Sequence, residues 1–265
     1  MLVLDLDGTL TNSKKEITAP TKKALIEIQE AGKKVVLASG RPINGVFPLA
    51  KDLQLDRFGS YILSSNGARI TRCADGYTVY NRTLPESVIA PIWMVASSFP
   101  GLDIMVYDDH NIYSGLDLNE YTELESFVCY MPIVQVEDFV GNIQFPINKL
   151  LIAGDPAVVE QAMIVLKKQF HSLLNIYRSE PFYLEIMPRK IDKAYSLQKL
   201  LSSLGLNAED MICCGDGYND ISMLEYAGLG IAMANAQPVV KESADFITLS
   251  NDEDGILHVV NQFMR

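Results

Sequence analysis

Over the first 80 residues the apolar positions fall in short runs separated by amphipathic stretches. Leu2-Val-Leu predicts a strand. A helix follows, with Pro20 in its first turn, Gly32 as its stop, and Ala24, Leu25, Ile28 and Ala31 on its apolar face. Val35-Val-Leu-Ala38 shows no alternation, the pattern of a strand buried on both faces of a parallel sheet. Ile43 to Leu53 has helical spacing, although Pro48 is expected to end or kink that helix. Tyr61-Ile-Leu63 reads as a third strand. This β-α-β-α-β rhythm predicts a parallel sheet flanked by helices, an α/β fold.

The rhythm returns late in the chain. Lys193 to Leu204 reads as a helix, with Asp192 as N-cap and Gly205 as the stop. Met211-Ile-Cys-Cys214 is a buried strand, and Ser222 to Ala227 a helix. Gly230 to Met233 is a strand, Pro238 opens a helix to Ala244, and Phe246-Ile-Thr is a last strand. Gly255 to Met264 closes the chain as a helix.

The middle follows another pattern. Ile104 to Tyr107 and Asn111 to Ser114 flank polar Asp108-Asp-His, which suggests a hairpin. Asn148 to Ala153 precedes a long helix from Ala157 to Phe170. Asn175 to Arg178 and Tyr183 to Ile186 form a second strand pair around Glu180-Pro181. The expected organisation is a discontinuous core of residues 1–81 and 188–265, with an α+β insert of residues 82–187. No internal repeat or low-complexity tract is present.

Composition narrows the class of protein. Apolar residues make up 48% and aromatics 9% of 265 residues, an ordinary globular share. No apolar run reaches the roughly 18 residues of a membrane span. The N-terminus lacks the basic flank and small-residue cleavage site of a signal peptide, so a cytoplasmic location is expected. A net charge of −11 argues against nucleic acid or an anionic membrane as partner. Arg82 to Met187 holds 5 basic and 14 acidic side chains, so the insert carries most of that excess. Adjacent Cys213 and Cys214 cannot chelate as C-x-x-C does, and no Cys/His cluster has zinc spacing. Cys73, Cys129, Cys213 and Cys214 are expected to be buried, inert thiols in a reducing compartment.

Candidate chemistry collects at or just beyond the carboxyl ends of predicted parallel strands, where open α/β sheets bind ligands. Asp5-Leu-Asp7-Gly-Thr places two carboxylates two residues apart just past the first strand. Ser39-Gly40-Arg41-Pro offers a hydroxyl, backbone N–H groups and a cation. Lys193 stands at a helix start. Gly215-Asp216-Gly-Tyr-Asn219-Asp220 follows another strand. Clustered carboxylates call for a hard cation such as Mg2+, and the Lys, Ser and glycine amides suit a phosphate. Neither a Walker A motif nor a G-x-G-x-x-G fingerprint is present.

These four segments, in this order, resemble the motifs of the haloacid dehalogenase superfamily of phosphohydrolases. The closer resemblance is to its Cof-type sugar-phosphatase subfamily, which carries a large cap between the second and third motifs. Ser65-Asn66-Gly-Ala, Ser179 to Pro188 and Ala232 to Ala236 extend the agreement over essentially the whole chain. Only four residues precede Asp5, where the family usually has a longer strand, and Lys193-Ala stands where it more often shows Lys-Gly. The resemblance implies a Rossmann-like core and an inserted cap that controls substrate access and specificity. It implies a Mg2+-dependent phosphatase for small phosphomonoesters, sugar phosphates first, with no nucleic-acid or membrane partner, as a monomer or weak homodimer. Asp5 would be the nucleophile and Asp7 the acid and base. Mg2+ would be held by Asp5, the Asp7 carbonyl and Asp216. Ser39 and Gly40 would bind phosphoryl oxygens, Lys193 would neutralise charge, Asn219 would touch phosphate or substrate, and Asp220 would anchor Lys193. Arg41 either binds phosphate or substrate or is an ordinary loop cation. Asn66 either shapes its turn or contacts substrate. Arg178 and Glu185 either reach the substrate or serve a structural or surface role. Asp252, Glu253 and Asp254 read as a solvated run and helix cap, His110 and His171 as surface residues, and Trp93 as insert packing. Competing readings are a phosphatase for pyridoxal phosphate, flavin mononucleotide or a nucleotide, a phosphomutase, and a non-catalytic phospho-acceptor module.

Overall fold

In the computed structural model, which describes residues 1–265, the chain begins in the middle of its largest sheet. β1 (Leu2–Leu4) is followed by α1 (Ala19–Glu30), β2 (Val35–Ala38), α2 (Ile43–Asp52), β3 (Tyr61–Ser64), β4 (Arg69–Arg72) and β5 (Thr78–Asn81). Next come α3 (Ile89–Ser97), β6 (Asp103–Tyr107), β7 (Ile112–Ser114), α4 (Glu120–Cys129), β8 (Ile133–Gln135) and α5 (Phe139–Asn142). Then follow β9 (Leu150–Ala153), α6 (Pro156–Phe170), β10 (Leu174–Glu180) and β11 (Tyr183–Pro188). The chain closes with α7 (Lys193–Leu204), β12 (Ile212–Gly215), α8 (Ile221–Tyr226), β13 (Leu229–Ala232), α9 (Pro238–Glu242), β14 (Phe246–Ile247) and α10 (Gly255–Phe263). Two compact units result, Met1–Tyr80 with Asp192–Arg265, and Asn81–Ile191.

The first unit holds an eight-stranded sheet in the order β14-β13-β12-β1-β2-β3-β4-β5. β1 pairs in parallel with β2 on one side and β12 on the other. The chain moves outward from β1 through β2 to β3, and later from β12 through β13 to β14, so the strand order reverses beside β1. That reversal opens a crevice at the carboxyl ends of the strands. Both sheet faces are covered, which explains the unbroken apolar runs. Leu2, Leu4, Leu37, Ile62 and Ile231 pack with buried residues of α1, α2 and α10. Val3, Val36, Leu63, Cys213 and Ala232 pack with those of α7 to α9.

Several expectations need correction. β4 runs antiparallel to β3, so the sheet is mixed, and neither β4 nor the edge strand β5 beyond it was foreseen. Their partly polar Arg-Ile-Thr-Arg and Thr-Val-Tyr-Asn sequences lack the apolar runs that betray the buried strands. Pro48 lies inside α2 without ending it. A single amide donor is lost there, while buried Val46, Leu49 and Ala50 keep the helix on the core. Ala31 is exposed beyond the end of α1. Gln29 takes a buried place instead, its Nε2 donating to the Leu25 and Leu53 carbonyls at 3.2 and 3.0 Å.

The second unit is a six-stranded sheet in the order β10-β11-β9-β6-β7-β8. Ile104, Val106, Leu150, Ile152, Leu184 and Ile186 pack with Ile92 and Ala96 of α3 and with Val159, Ala162 and Leu166 of α6. Met105, Tyr107, Leu151 and Tyr183 line the opposite face with Cys129 of α4. Trp93 is half-buried in the first of these clusters, its Nε1 donating to the Gly115 carbonyl at 3.3 Å. The unit extends to Ile191 because β11 continues through Pro188 and the Ile191 carbonyl accepts from Asn175 Nδ2.

The start of α7 is fixed by one close approach in the first unit. Gly67 has φ 90°, and its carbonyl accepts from Ser196 Oγ at 2.6 Å. A Cβ on Gly67 would lie 2.6 Å from Ser196 Oγ and 2.9 Å from the Asp192 carbonyl. Gly67→Ala should therefore lower stability by about 2 kcal/mol, from left-handed strain and overpacking together. Urea unfolding checks this, and an unchanged midpoint would refute it.

Candidate active site

Lys193 is wholly buried at the first residue of α7, whose N-cap Asp192 accepts from Tyr195 N. Its Nζ donates to Asp5 Oδ1 at 2.6 Å and to Asp220 Oδ1 at 2.5 Å. Asp5 directly follows β1, and its backbone N–H donates to the Cys214 carbonyl, prolonging the β1–β12 pairing. The other Asp220 oxygen accepts from the backbone N–H groups of Asp216 and Gly217 at 3.0 and 2.9 Å. Both Asp220 oxygens are thus engaged. Burial disfavours the Lys193 charge, but Asp220 and Asp5 outweigh it and raise its pKa. Burial, with Asp220 and Asp216 nearby, pushes the Asp5 carboxyl up against the pull of Lys193.

Asp216 follows β12 and accepts from Thr9 Oγ1 at 2.7 Å. Burial, then the Asp220 charge, lifts its pKa to about 6 against that hydrogen bond. Carboxylate oxygens of Asp5, Asp216 and Asp220 all lie within 4.8 Å of one another. Three carboxylates against the Lys193 ammonium leave an excess of negative charge in a buried place. Oxygen-only donors with that excess fit a hard divalent cation. Gly8 adds a cradle: at φ 85°, a Cβ there would stand 2.3 Å from Asp216 Oδ2.

Asp7 faces different partners. Arg41 Nε donates to Asp7 Oδ2 at 2.8 Å and Arg41 Nη2 to Asp7 Oδ1 at 2.6 Å. Lys15 Nζ donates to the same Oδ1 at 2.7 Å. Burial alone would raise the Asp7 pKa, but the Arg41 hydrogen bonds and charge, then Lys15, bring it down to about 2. Arg41 is buried and also donates to the Gly45 carbonyl at 3.1 Å. Its guanidinium therefore holds Asp7, a role distinct from either open reading of the sequence. Lys15 and Thr9 were missed as site residues. Thr9 was legible within the Asp-Gly-Thr motif, whereas nothing in the polar loop around Lys15 marks it.

Ser39, Gly40, Asn66 and Asn219 form a third group. Ser39 is buried and its Oγ accepts from the Arg41 N–H at 3.1 Å. Asn66 has φ 52° and its N–H donates to the Ser39 carbonyl at 2.9 Å. Asn66 Oδ1 accepts from Asn219 Nδ2 at 2.9 Å, and a Cβ on Gly40 would stand 3.2 Å from it. Asn66 thus shapes its turn and braces Asn219.

The remaining candidates have partners of their own or face solvent. Glu185 pairs with Lys149 at 3.2 Å, both buried in the insert. Arg178 lies 4.0 Å from Glu160 and, pairing with Leu184, points to the other face from Glu185. All four cysteines are buried thiols outside any disulfide, and burial pushes the Cys73 thiol up to about 12. His110 and His171 are exposed. Asp252 and Asp254 are more than a solvated run: Asp252 accepts from Ser13, and Asp254 from Thr18 and Thr21. No helix is long and apolar enough to cross a membrane.

Residues 2–260 match a family model for haloacid dehalogenase-like hydrolases. A haloacid dehalogenase-like hydrolase from Bacteroides thetaiotaomicron, known as a crystal structure, superposes with TM-score 0.94 at 44% identity, covering 98% of both chains. YxeH of Bacillus subtilis is 30% identical over 267 residues, spanning 100% of this chain and 98% of that protein. The 5-amino-6-(5-phospho-D-ribitylamino)uracil phosphatase YcsE of Bacillus subtilis is 29% identical, spanning 100% of this chain and 95% of that protein.

The raised Asp216 pKa has a consequence for the metal-free protein. Asp216 titrates near pH 6 when folded and about 3.9 when unfolded, so the folded state binds more protons between those values. The contribution is fully present below about pH 4 and is lost as pH rises through about 6. In chelator, thermal stability should fall over that window, and Asp216→Asn should flatten the fall. An Asn variant with the parent slope would contradict the assignment.

Proposed function

The chain belongs to the haloacid dehalogenase-like hydrolases, of the Cof type, and we propose that it is a Mg2+-dependent phosphatase for monophosphorylated sugars and related polyols, working through an aspartyl-phosphate. Phosphatase action on small phosphorylated substrates is carried by the family. One observation carries the mechanism: Asp5, Asp216 and buried Lys193 meet where the strand order reverses beside β1.

Asp5 attacks phosphorus, and the bond from phosphorus to the substrate oxygen breaks. Lys193 holds the Asp5 carboxylate in place and balances charge as it moves to the phosphoryl oxygens. Ser39 and the Gly40 amide are assigned to those oxygens, and Asn219 to the substrate side. Mg2+ would be held by Asp5, Asp216 and the Asp7 carbonyl. When bound, it supplies positive charge against the phosphoryl group and the carboxylates. Asp7 rests as a carboxylate between Arg41 and Lys15, which favour its charged form, so it enters the cycle unprotonated. A phosphomonoester monoanion, with a second pKa near about 6, can bring the proton that Asp7 passes to the leaving oxygen. Asp7 then takes a proton from the water that hydrolyses the aspartyl-phosphate.

The insert is assigned substrate selection. Its acidic excess disfavours polyanions, while the hydroxyls of a sugar hydrogen-bond well to carboxylates. YcsE is named for a phosphoribityl compound, a phosphate on a hydroxyl-rich chain, which supports the polyol class.

Asp5→Asn should abolish turnover and covalent phosphorylation together, as read by acid quench and mass spectrometry. Asp7→Asn should lose about 10²-fold or more in kcat/KM with sugar phosphates and less with p-nitrophenyl phosphate, whose leaving group needs no proton. Equal losses in kcat/KM on both substrates would remove Asp7 as the acid. Across a panel of phosphate esters with Mg2+, sugar monophosphates should lead in kcat/KM, and EDTA should abolish turnover. Nucleoside triphosphates or sugar bisphosphates ranking first would refute the polyol reading.

A further inference from the structure

Residues 12–16 form a loop whose construction points at one side chain. Asn12 Oδ1 accepts from the N–H groups of Lys14 and Glu16 at 2.9 and 3.0 Å. The Asn12 N–H donates to the Glu16 carbonyl, and the Lys15 N–H to the Asn12 carbonyl. This winding puts Lys15 at φ 63°, in the left-handed region that glycine occupies without strain. The loop is also tied from the far end of the chain. Ser13 N and Oγ donate to Asp252 at 2.8 and 2.5 Å, and Asn251 Nδ2 donates to the Thr11 carbonyl at 2.9 Å. Thr18 Oγ1 donates to Asp254.

All this delivers Lys15 Nζ to Asp7 Oδ1. The pair is a third exposed, at 35% and 33%, and such ion pairs add little stability. A strained backbone supporting a weak ion pair does not serve the fold. Nor is Lys15 needed to neutralise Asp7, since Arg41 already bonds both oxygens. What Lys15 changes is which oxygen stays open. A carboxylate offers about four lone-pair sites, two on each oxygen. Oδ1 accepts from Arg41 Nη2 and Lys15 Nζ, and Oδ2 accepts only from Arg41 Nε. The open site is on Oδ2.

We propose that Lys15 is a positioning residue for proton transfer: by filling Oδ1 of Asp7 it leaves Oδ2 as the atom that accepts the proton of the attacking water. This rests on the two-step reading above. In that step the water oxygen bonds phosphorus, and the bond from phosphorus to the Asp5 oxygen breaks with its electron pair returning to Asp5. The water proton goes to Asp7 Oδ2. Lys15 touches neither substrate nor phosphoryl group and acts through Asp7 alone.

The test uses the full-length protein with Mg2+ and p-nitrophenyl phosphate. Lys15→Met should lower kcat and KM together by about tenfold, leaving kcat/KM unchanged, because only the second step is slowed. The phosphorylated enzyme should accumulate in acid-quenched samples, and Lys15→Arg should restore turnover. Lys15→Gly should show the same kinetic loss with a Tm at or above the parent, since glycine relieves the backbone. A raised KM with unchanged kcat would place Lys15 on the substrate phosphate and overturn the proposal. So would parent kinetics in Lys15→Met, or failed rescue by arginine. Asp7→Asn is run alongside. If it neither slows turnover nor accumulates phosphoenzyme, the two-step reading falls and the proposal with it. If Asp7→Asn stalls as phosphoenzyme and Lys15→Met does not, only the role of Lys15 falls.

Discussion

The buried ammonium of Lys193 is the constraint around which the rest is arranged. A wholly buried lysine is tolerable only with carboxylates in contact, and Asp5 and Asp220 supply them from opposite ends of the sequence. Removing one partner of a buried pair typically costs about 3–5 kcal/mol, because the other charge is left uncompensated. The register of β1 on β12 fixes where Asp5 and Asp220 lie, and Gly67 fixes the start of α7. Sheet pairing, helix docking and site assembly therefore depend on one triad, and none of them can shift without exposing that charge.

The charges of the site are sorted into two parts of opposite sign. Around Lys193 the carboxylates are in excess, while around Asp7 two cations face one carboxylate. The first arrangement favours a divalent cation, and the second favours an anion near Asp7. A phosphomonoester together with a metal ion satisfies both, which neither would do alone.

Much of this was legible in the sequence because it follows local rules. Strands covered on both faces left unbroken apolar runs, and α7 was bounded by Asp192 and Gly205 as capping chemistry requires. The candidate residues stand at or just beyond strand ends, where sheet topology gathers them. The illegible parts depend on partners distant in sequence or on surface exposure. β4 and β5 lie at one end of the sheet and carry polar residues, and α3 and α4 carry too little contrast between faces to stand out. Arg41 could be seen as a cation near a strand end, but its hold on Asp7 comes from the fold. Lys15 was invisible because Asp252, Asn251 and Asp254, which fasten its loop, lie more than 230 residues away.

The position of β1 at the centre of the sheet also bears on biosynthesis. β1 is made before β2, finds it soon after, and pairs with β12 only when residues 212–214 have been made. At about 5–20 residues per second, that interval lasts roughly 10–40 s. Throughout it, the Leu2-Val-Leu4 strand has one unpaired edge, a surface prone to pairing with other chains. Synthesis of residues 81–191 fills part of the interval, and their packed core draws only on their own segment. The nascent core thus keeps an open edge until β12 arrives, and the speed of translation through the insert sets the length of that exposure.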